Sequence, residues 1–316
     1  MDRERKTQLI EYLVRNNGKG DNTWAEILQE LNIEINHKTL KQASDAWRYY
    51  KKTNVVSYKN KDVKILIFDV ETAPLTAYVW ARWNQTLYDS KQIIQPEWFM
   101  LTWSAKWLFD DNIMNASLTP EEVEKEDDLR IVERFWDLLN EADIVIAHNA
   151  DKFDIKILNG RFIKYGFKPP SPYKVIDTLK VVKRRMRLPS NRLNEVCAFL
   201  GLDTKIDTGG FDLWKGFLKG DKDSINKMLE YNDQDVIILE QLYLRIRAWV
   251  PNHPNVNLFT DNEITSCPAC GSNNLSASGS YVTGVSKFDV HQCNNCGFQA
   301  RGRTSTINNK PILKAL

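Results

Sequence analysis

Acidic side chains recur in three places where a hard metal ion has use for them. The run KILIFDVET (64–72) sets Asp69 and Glu71 two positions apart. AHNADKFDIKIL (147–158) carries Asp154, and YNDQD (231–235) carries Tyr231 and Asp235. On a strand, residues two apart project to the same face, so Asp69 and Glu71 point together. Tyr231 precedes Asp235 by four residues, one turn of a helix, and the two share a helix face. Carboxylate oxygens suit Mg²⁺ or Mn²⁺, which keep open positions for water and phosphate. Four acids from three distant segments therefore make a candidate centre for metal-assisted chemistry.

A second set has different donors. Cys267 and Cys270 (CPAC-G) and Cys293 and Cys296 (CNNC-G) form two knuckles with 22 residues between them, each followed by glycine. Paired knuckles of this kind mark a zinc ribbon holding one structural Zn²⁺. SYVTGVSKFDVHQC supplies its hairpin strands and too few apolar residues to fold without metal, whose binding contributes roughly 10–16 kcal/mol. Zinc ribbons bind nucleic acid or partner proteins, or act as structural caps; Arg301, Arg303 and Lys310 favour phosphate contact. His291 is a spare ligand that four thiolates make unnecessary, and Cys197, alone in an apolar helix, reads as core.

The elements that must position these residues follow from periodicity. Residues 1–50 read as three helices, near 5–16, 23–31 and 38–50, with Thr23 and Glu26 as a capping box. Leu9, Ile10, Leu13, Ile27, Leu28, Leu31 and Leu40 form their small core. Such a helix-turn-helix-like unit either binds DNA through Lys38, Lys41, Arg48, Lys51 and Lys52 or docks as an appendage. A polar linker (51–63) follows. KILIFDV is a doubly buried strand, and PLTAYVWARWNQTLYD is an irregular aromatic stretch. WFMLTWSAKWLFD and NIMNASL read as a hairpin, and EEVEKEDDLRIVERFWDLLNEA as one helix with an acidic start. DIVIAHN and KVIDT are strands flanking the helix DKFDIKILNGRFIKYG. Helices near 177–186, 191–200 and 221–247 complete an α/β unit. This order predicts a ribonuclease H-like mixed five-stranded sheet with flanking helices. The expected domains are 1–52 (helical), 64–250 (ribonuclease H-like) and 260–304 (zinc ribbon).

The 316 residues carry 43 basic and 41 acidic side chains, so net charge alone points to no partner. Its distribution leans toward one: residues 1–64 hold 13 Lys/Arg against 9 Asp/Glu, residues 253–316 hold 5 against 3, and the middle is acidic. Basic ends around an acidic centre suit phosphate attraction beside metal chemistry. No apolar run is long enough for a bilayer, and MDRERKTQLI lacks a signal-peptide core. A cytosolic protein without membrane partners is expected, in a reducing compartment that favours cysteine–metal bonds.

The ordered acid set, with Asn149 and Phe153 before Asp154, resembles the DEDD (DnaQ-like) superfamily of 3′→5′ exonucleases. It is similar to the tyrosine subclass, which includes the proofreading domains of family B DNA polymerases and RNase D. The similarity covers about residues 64–248, with every motif acid present. The histidine subclass places its histidine five residues before the last acid, where this chain has Glu230. The resemblance implies that Asp69 bridges two Mg²⁺ or Mn²⁺ ions, Glu71 and Asp235 hold the water-activating ion, and Asp154 helps position the other. Tyr231 would orient the attacking water, since a tyrosine with pKa near 10 is a poor base at neutral pH. Asn149 would lie close to the substrate strand, or else bond its own loop.

Other residues are read more simply. His148 is a packed, satisfied histidine, and Asp177 a helix N-cap. The cluster KRRMR (183–187), with Arg184 and Arg185, grips backbone phosphates or forms a solvated face. Phe153 and Trp214 are candidates for stacking on terminal bases, with core the better expectation for Phe153. The implied activity is hydrolysis of DNA from a free 3′ end, preferably single-stranded, in replication, repair or recombination, beside a DNA polymerase or another replication protein. The size and appended modules look like a stand-alone bacteriophage-type enzyme of the host cytoplasm, too short for a polymerase palm and thumb. An RNase D-like exoribonuclease, or a non-catalytic nucleic-acid-binding scaffold on a nuclease fold, is the alternative.

Overall fold

A computed structural model describes residues 1, 3–15, 22–53, 63–80, 83, 86, 90–95, 97–206, 209–260, 265–307 and 313–314. Of the expected linker, 54–62 lie outside the described residues, as do Lys310 and the side chains of Arg48, Lys51 and Lys52.

Three helices open the chain: α1 (Arg3–Arg15), α2 (Trp24–Glu30) and α3 (His37–Thr53). The capping box forms as expected: the Thr23 side chain accepts from the Glu26 backbone N–H, and the Glu26 carboxylate accepts from that of Thr23. Leu9, Leu13, Ile27, Leu28, Ile33, Ala43 and Trp47 make a separate apolar cluster, with Ile10, Leu31 and Leu40 at its edge.

The central sheet has the order β5-β4-β1-β6-β7. β1 (Ile65–Thr72) pairs antiparallel with β4 (Met100–Trp107), which pairs antiparallel with β5 (Met114–Ser117). On its other side β1 runs parallel to β6 (Ile144–Ala147), and β6 parallel to β7 (Lys174–Asp177). This is the mixed five-stranded, ribonuclease H-like sheet that the sequence predicts. Between β1 and β4, β2 (Thr76–Ala77) and β3 (Ile93–Gln95) add a two-stranded ribbon inside the stretch expected to be irregular.

Alternation along β1 divides the core. Leu66, Phe68 and Val70 face a layer containing Phe135 and Trp136 of α5 (Leu129–Glu141) and Leu158 of α6 (Asp154–Lys164). Ile65 and Ile67 face the opposite layer, built from α7 (Thr178–Arg185), α8 (Leu193–Phe199) and α10 (Lys222–Ile246). The period of two carries Asp69 and Glu71 onto that second face, under α10.

The single helix expected over 121–142 is two: α4 (Pro120–Glu124) and α5, with Glu126 at φ 51° between them. Asp128 is responsible. It is buried and accepts from the Met100 N–H (2.7 Å), Arg161 (2.6 Å) and the Tyr165 hydroxyl (2.5 Å). A carboxylate recruited to strand and helix partners in this way fixes the chain where one helix would have run through. α9 (Asp212–Leu218), not expected, packs on α10; a Cβ at Gly216 would stand 2.0 Å from the Ser224 hydroxyl, so only glycine allows this approach.

The C-terminal unit is a three-stranded sheet of β8 (Leu275–Val282), β9 (Lys287–Cys293) and β10 (Gln299–Arg301), in the order β10-β9-β8. Residues 253–259 couple it to the larger core. His253 is buried, with Nε2 2.9 Å from the Tyr243 hydroxyl and its ring against Phe298. Val256 belongs to the α10 layer, and its N–H donates to the Pro268 carbonyl.

Candidate active site and zinc centre

The C-terminal end of β1 meets the middle of α10. There Asp69, Glu71 and Asp235 bring carboxylate oxygens within 4.8 Å of one another. Asp69 and Glu71 are half-buried and Asp235 is buried. Asp154, the first residue of α6, approaches from the other layer, with the Val70 backbone pulling its pKa down. Asp154 Oδ2 and Asp235 Oδ1 are buried and without a hydrogen-bond partner.

Crowded carboxylates raise one another's pKa, and burial adds to the effect. Burial, then Asp235, Glu71 and Asp154, hold Asp69 well above the carboxylate range. Glu71 is pushed up to about 8 by burial and Asp235, with Lys205 opposing. Burial brings Asp154 up to about 7 against the pull of backbone N–H donors. Asp235 is raised by burial, again with Lys205 opposing. A centre built of oxygen donors, with two orphaned oxygens and too few cations for its acids, fits divalent hard ions.

Two polar neighbours of these acids stand outside the set singled out in the sequence. Lys205, in the loop after α8, donates from Nζ to Asp235 Oδ2 (2.5 Å) and to the Tyr231 hydroxyl (2.7 Å). Nothing in its local sequence separates it from other loop lysines. Asn232, buried, donates from Nδ2 to Asp69 Oδ2 (2.7 Å). Its place inside YNDQD was a usable signal. Tyr231 stacks edge-on to Trp214. Burial and Asp235 raise its hydroxyl pKa, so it stays protonated.

The remaining candidates separate. His148 is satisfied at both nitrogens, by the Thr178 hydroxyl and the Asn191 carbonyl (2.9 Å each). Asp177 caps α7 and also accepts from the Asn149 N–H. Asn149 takes φ 84° and lines the cleft beside Asp69. Arg184 and Arg185 are exposed, and Arg185 Nε donates to the Trp249 carbonyl (2.9 Å). Phe153 is not core: it is 37% exposed, because α6 starts one residue later and leaves it on the preceding turn. Cys197 is buried.

The four ribbon cysteines converge, with Cys267–Cys296 and Cys270–Cys293 sulfurs 3.6 Å apart. That is too long for a disulfide, near 2.05 Å. It matches the roughly 3.8 Å edge of a tetrahedron with zinc–sulfur bonds of about 2.3 Å. Burial opposes ionisation of Cys293, yet the Cys296 and Asn295 backbone N–H groups bring it down to about 7.

Fold and site together define a ribonuclease H-like unit with an acidic centre. Residues 107–247 match the RNase H superfamily model. The match spans Asp154, Tyr231 and Asp235 and begins after the strand that carries Asp69 and Glu71. The chain is also similar to DNA polymerase III PolC-type of Ureaplasma parvum, with 25% identity over 167 residues. That stretch is 49% of this chain and 11% of the relative, so the chain spans about a tenth of the protein it matches. These similarities support a nuclease. No helix among the described residues is long and apolar enough to cross a membrane.

Proposed function

We propose that the chain is a metal-dependent 3′→5′ exonuclease of the tyrosine DEDD subclass, acting on DNA, preferably single-stranded, in replication, repair or recombination. The observation that carries this reading is the convergence of Asp69, Glu71 and Asp235 within 4.8 Å, beneath the helix that also presents Tyr231. Asp69, Glu71, Asp154 and Asp235 would hold two Mg²⁺ or Mn²⁺ ions. Such ions, when bound, lower the pKa of water and neutralise charge on the attacking and leaving oxygens.

The protein groups do the rest. Asn232 fixes the Asp69 carboxylate. Tyr231 accepts from Lys205, and its own proton and remaining lone pair are left to orient a water. A hydroxyl held protonated is a positioning group rather than a base. Lys205 supplies positive charge where an anionic substrate would arrive. Hydrolysis joins the water oxygen to phosphorus and breaks the P–O3′ bond. A nucleoside 5′-monophosphate leaves, the shortened strand keeps a 3′ hydroxyl, and one water proton passes to that oxygen. The four cysteines would hold one structural Zn²⁺, and the helical unit (1–52) and ribbon (260–304) would serve as accessory modules.

Linear and circular single-stranded DNA, with linear strands labelled at either end, test this polarity. With Mg²⁺, 3′-labelled DNA should release labelled mononucleotide at once, 5′-labelled DNA should shorten stepwise, and circles should persist. Rapid cutting of circles, or release from the 5′ end, would overturn the proposal. Faster digestion of RNA would move the substrate to RNA.

A further inference from the structure

Asp69 opens the acidic centre onto a cleft of about 910 Å³. Asp69 and Tyr231 line it on the acid side; Lys183, Arg192, Asn149 and Asn194 line it elsewhere. That volume lies near the upper end for small-ligand sites and holds a terminal nucleotide with part of its neighbour. The second wall is built rather than incidental. The His148 ring ties the end of β6 to Thr178 of α7 and to Asn191, beside Arg192. Asn194 Oδ1, in the first turn of α8, accepts from the Lys205 N–H (2.9 Å), linking that turn to the residue that touches Asp235.

The cations of this wall differ from other basic groups nearby. Lys180 pairs with Asp151, Lys164 with Glu97 and Lys215 with Asp212. Lys183 and Arg192 are exposed and, among the described residues, neither forms an ion pair. Glu195 shares the wall and pairs with neither. Two uncommitted cations lining the same cleft as Asp69 suit an anion that reaches both.

We propose that Lys183 and Arg192 bind the phosphodiester immediately upstream of the scissile one. This rests on the exonuclease reading. If the scissile phosphate lies at the carboxylates, the departing 3′ nucleotide has no further phosphate, so the next negative charge is on the 5′ side. The ligand class is thus an oligonucleotide with at least two consecutive phosphodiesters. The basic run KRRMR contributes its first residue, Lys183, to this site; Arg184, Arg185 and Arg187 do not line the cleft.

Steady-state kinetics on three substrates test the assignment. One is a dinucleotide with a single phosphodiester. The second is a trinucleotide. The third is that trinucleotide with a neutral methylphosphonate at the second linkage from the 3′ end. For the parent protein with Mg²⁺, kcat/KM should be about tenfold or more higher for the natural trinucleotide, since charge-assisted contacts are strong. In Lys183→Ala/Arg192→Ala that advantage should vanish, whereas Arg187→Ala should keep it. Binding of longer single strands by the double variant should lose roughly 0.7 from the log K–log salt slope per cation removed. A trinucleotide advantage that survives in the folded double variant would overturn the inference and leave the exonuclease reading standing. A parent protein that releases no mononucleotide from any of the three would sink the exonuclease reading and this inference together.

Discussion

At the scale of single residues, the convergence of Asp69, Glu71 and Asp235 was legible, because acids at strand and helix spacings are displayed directly by sequence. Lys205 was not, because its meaning comes from a loop folding back over α10, a long-range contact with no local periodicity. Its bond to the Tyr231 hydroxyl sharpens one expectation. Tyr231→Phe keeps the ring against Trp214 and removes only the hydroxyl, so turnover should fall roughly tenfold to a hundredfold, the scale of a misoriented reactant. Magnesium affinity should stay within about twofold, read by the concentration giving half-maximal rate. A loss of affinity as large as that of Asp235→Ala would make the tyrosine a part of the metal site.

The raised pKa values have a thermodynamic consequence at the same scale. Glu71 at about 8 and Asp154 at about 7 stand above their unfolded values, near 4. The magnesium-free folded protein therefore holds protons that the unfolded chain releases, and stability falls with rising pH. That contribution is complete below about pH 4 and is lost through pH 8. In magnesium-free buffer Tm should drop from pH 5 to 8, and Asp69→Asn should raise Tm and flatten the profile. A Tm that climbs over this range, with no gain in the variant, would contradict the electrostatic account.

At the scale of elements, the five strands of the central sheet followed from apolar runs, and α10 from its length. The helix break between α4 and α5 did not, because EEVEKEDDLRIV has helical composition throughout. The burial of Asp128 against β4 and α6 accounts for the interruption. Arg161 is its ionic partner and is itself buried, with Glu97 as a second, exposed contact. Arg161→Ala would leave a buried carboxylate uncompensated and should cost about 3–5 kcal/mol in urea unfolding. A loss under about 1 kcal/mol would show that Asp128 does not depend on this pair.

At the scale of the whole molecule, the cysteine spacing announced the ribbon but not its attachment. His253, Val256 and Phe298 were unremarkable letters until packing put them between α10 and the knuckles. A cut after residue 252 would remove the Val256 side chain from the core and open the Tyr243–His253 bond, costing about 1–3 kcal/mol. Truncation after residue 260 should cost less. Either protein, where folded, should still digest short single strands, because none of the described ribbon residues lines the cleft beside Asp69. Loss of all cleavage in a folded 1–260 protein would make the ribbon part of the catalytic unit. The acidic centre carries the proposed chemistry, and its most direct test is mononucleotide release from 3′-labelled single-stranded DNA as magnesium is titrated, for the parent and for Asp69→Asn with its fold verified by circular dichroism. Release should be absent without divalent ion, rise with Mg²⁺ in the parent, and fall by at least about a thousandfold in the variant; release that ignores magnesium, or that survives undiminished in Asp69→Asn, would contradict it.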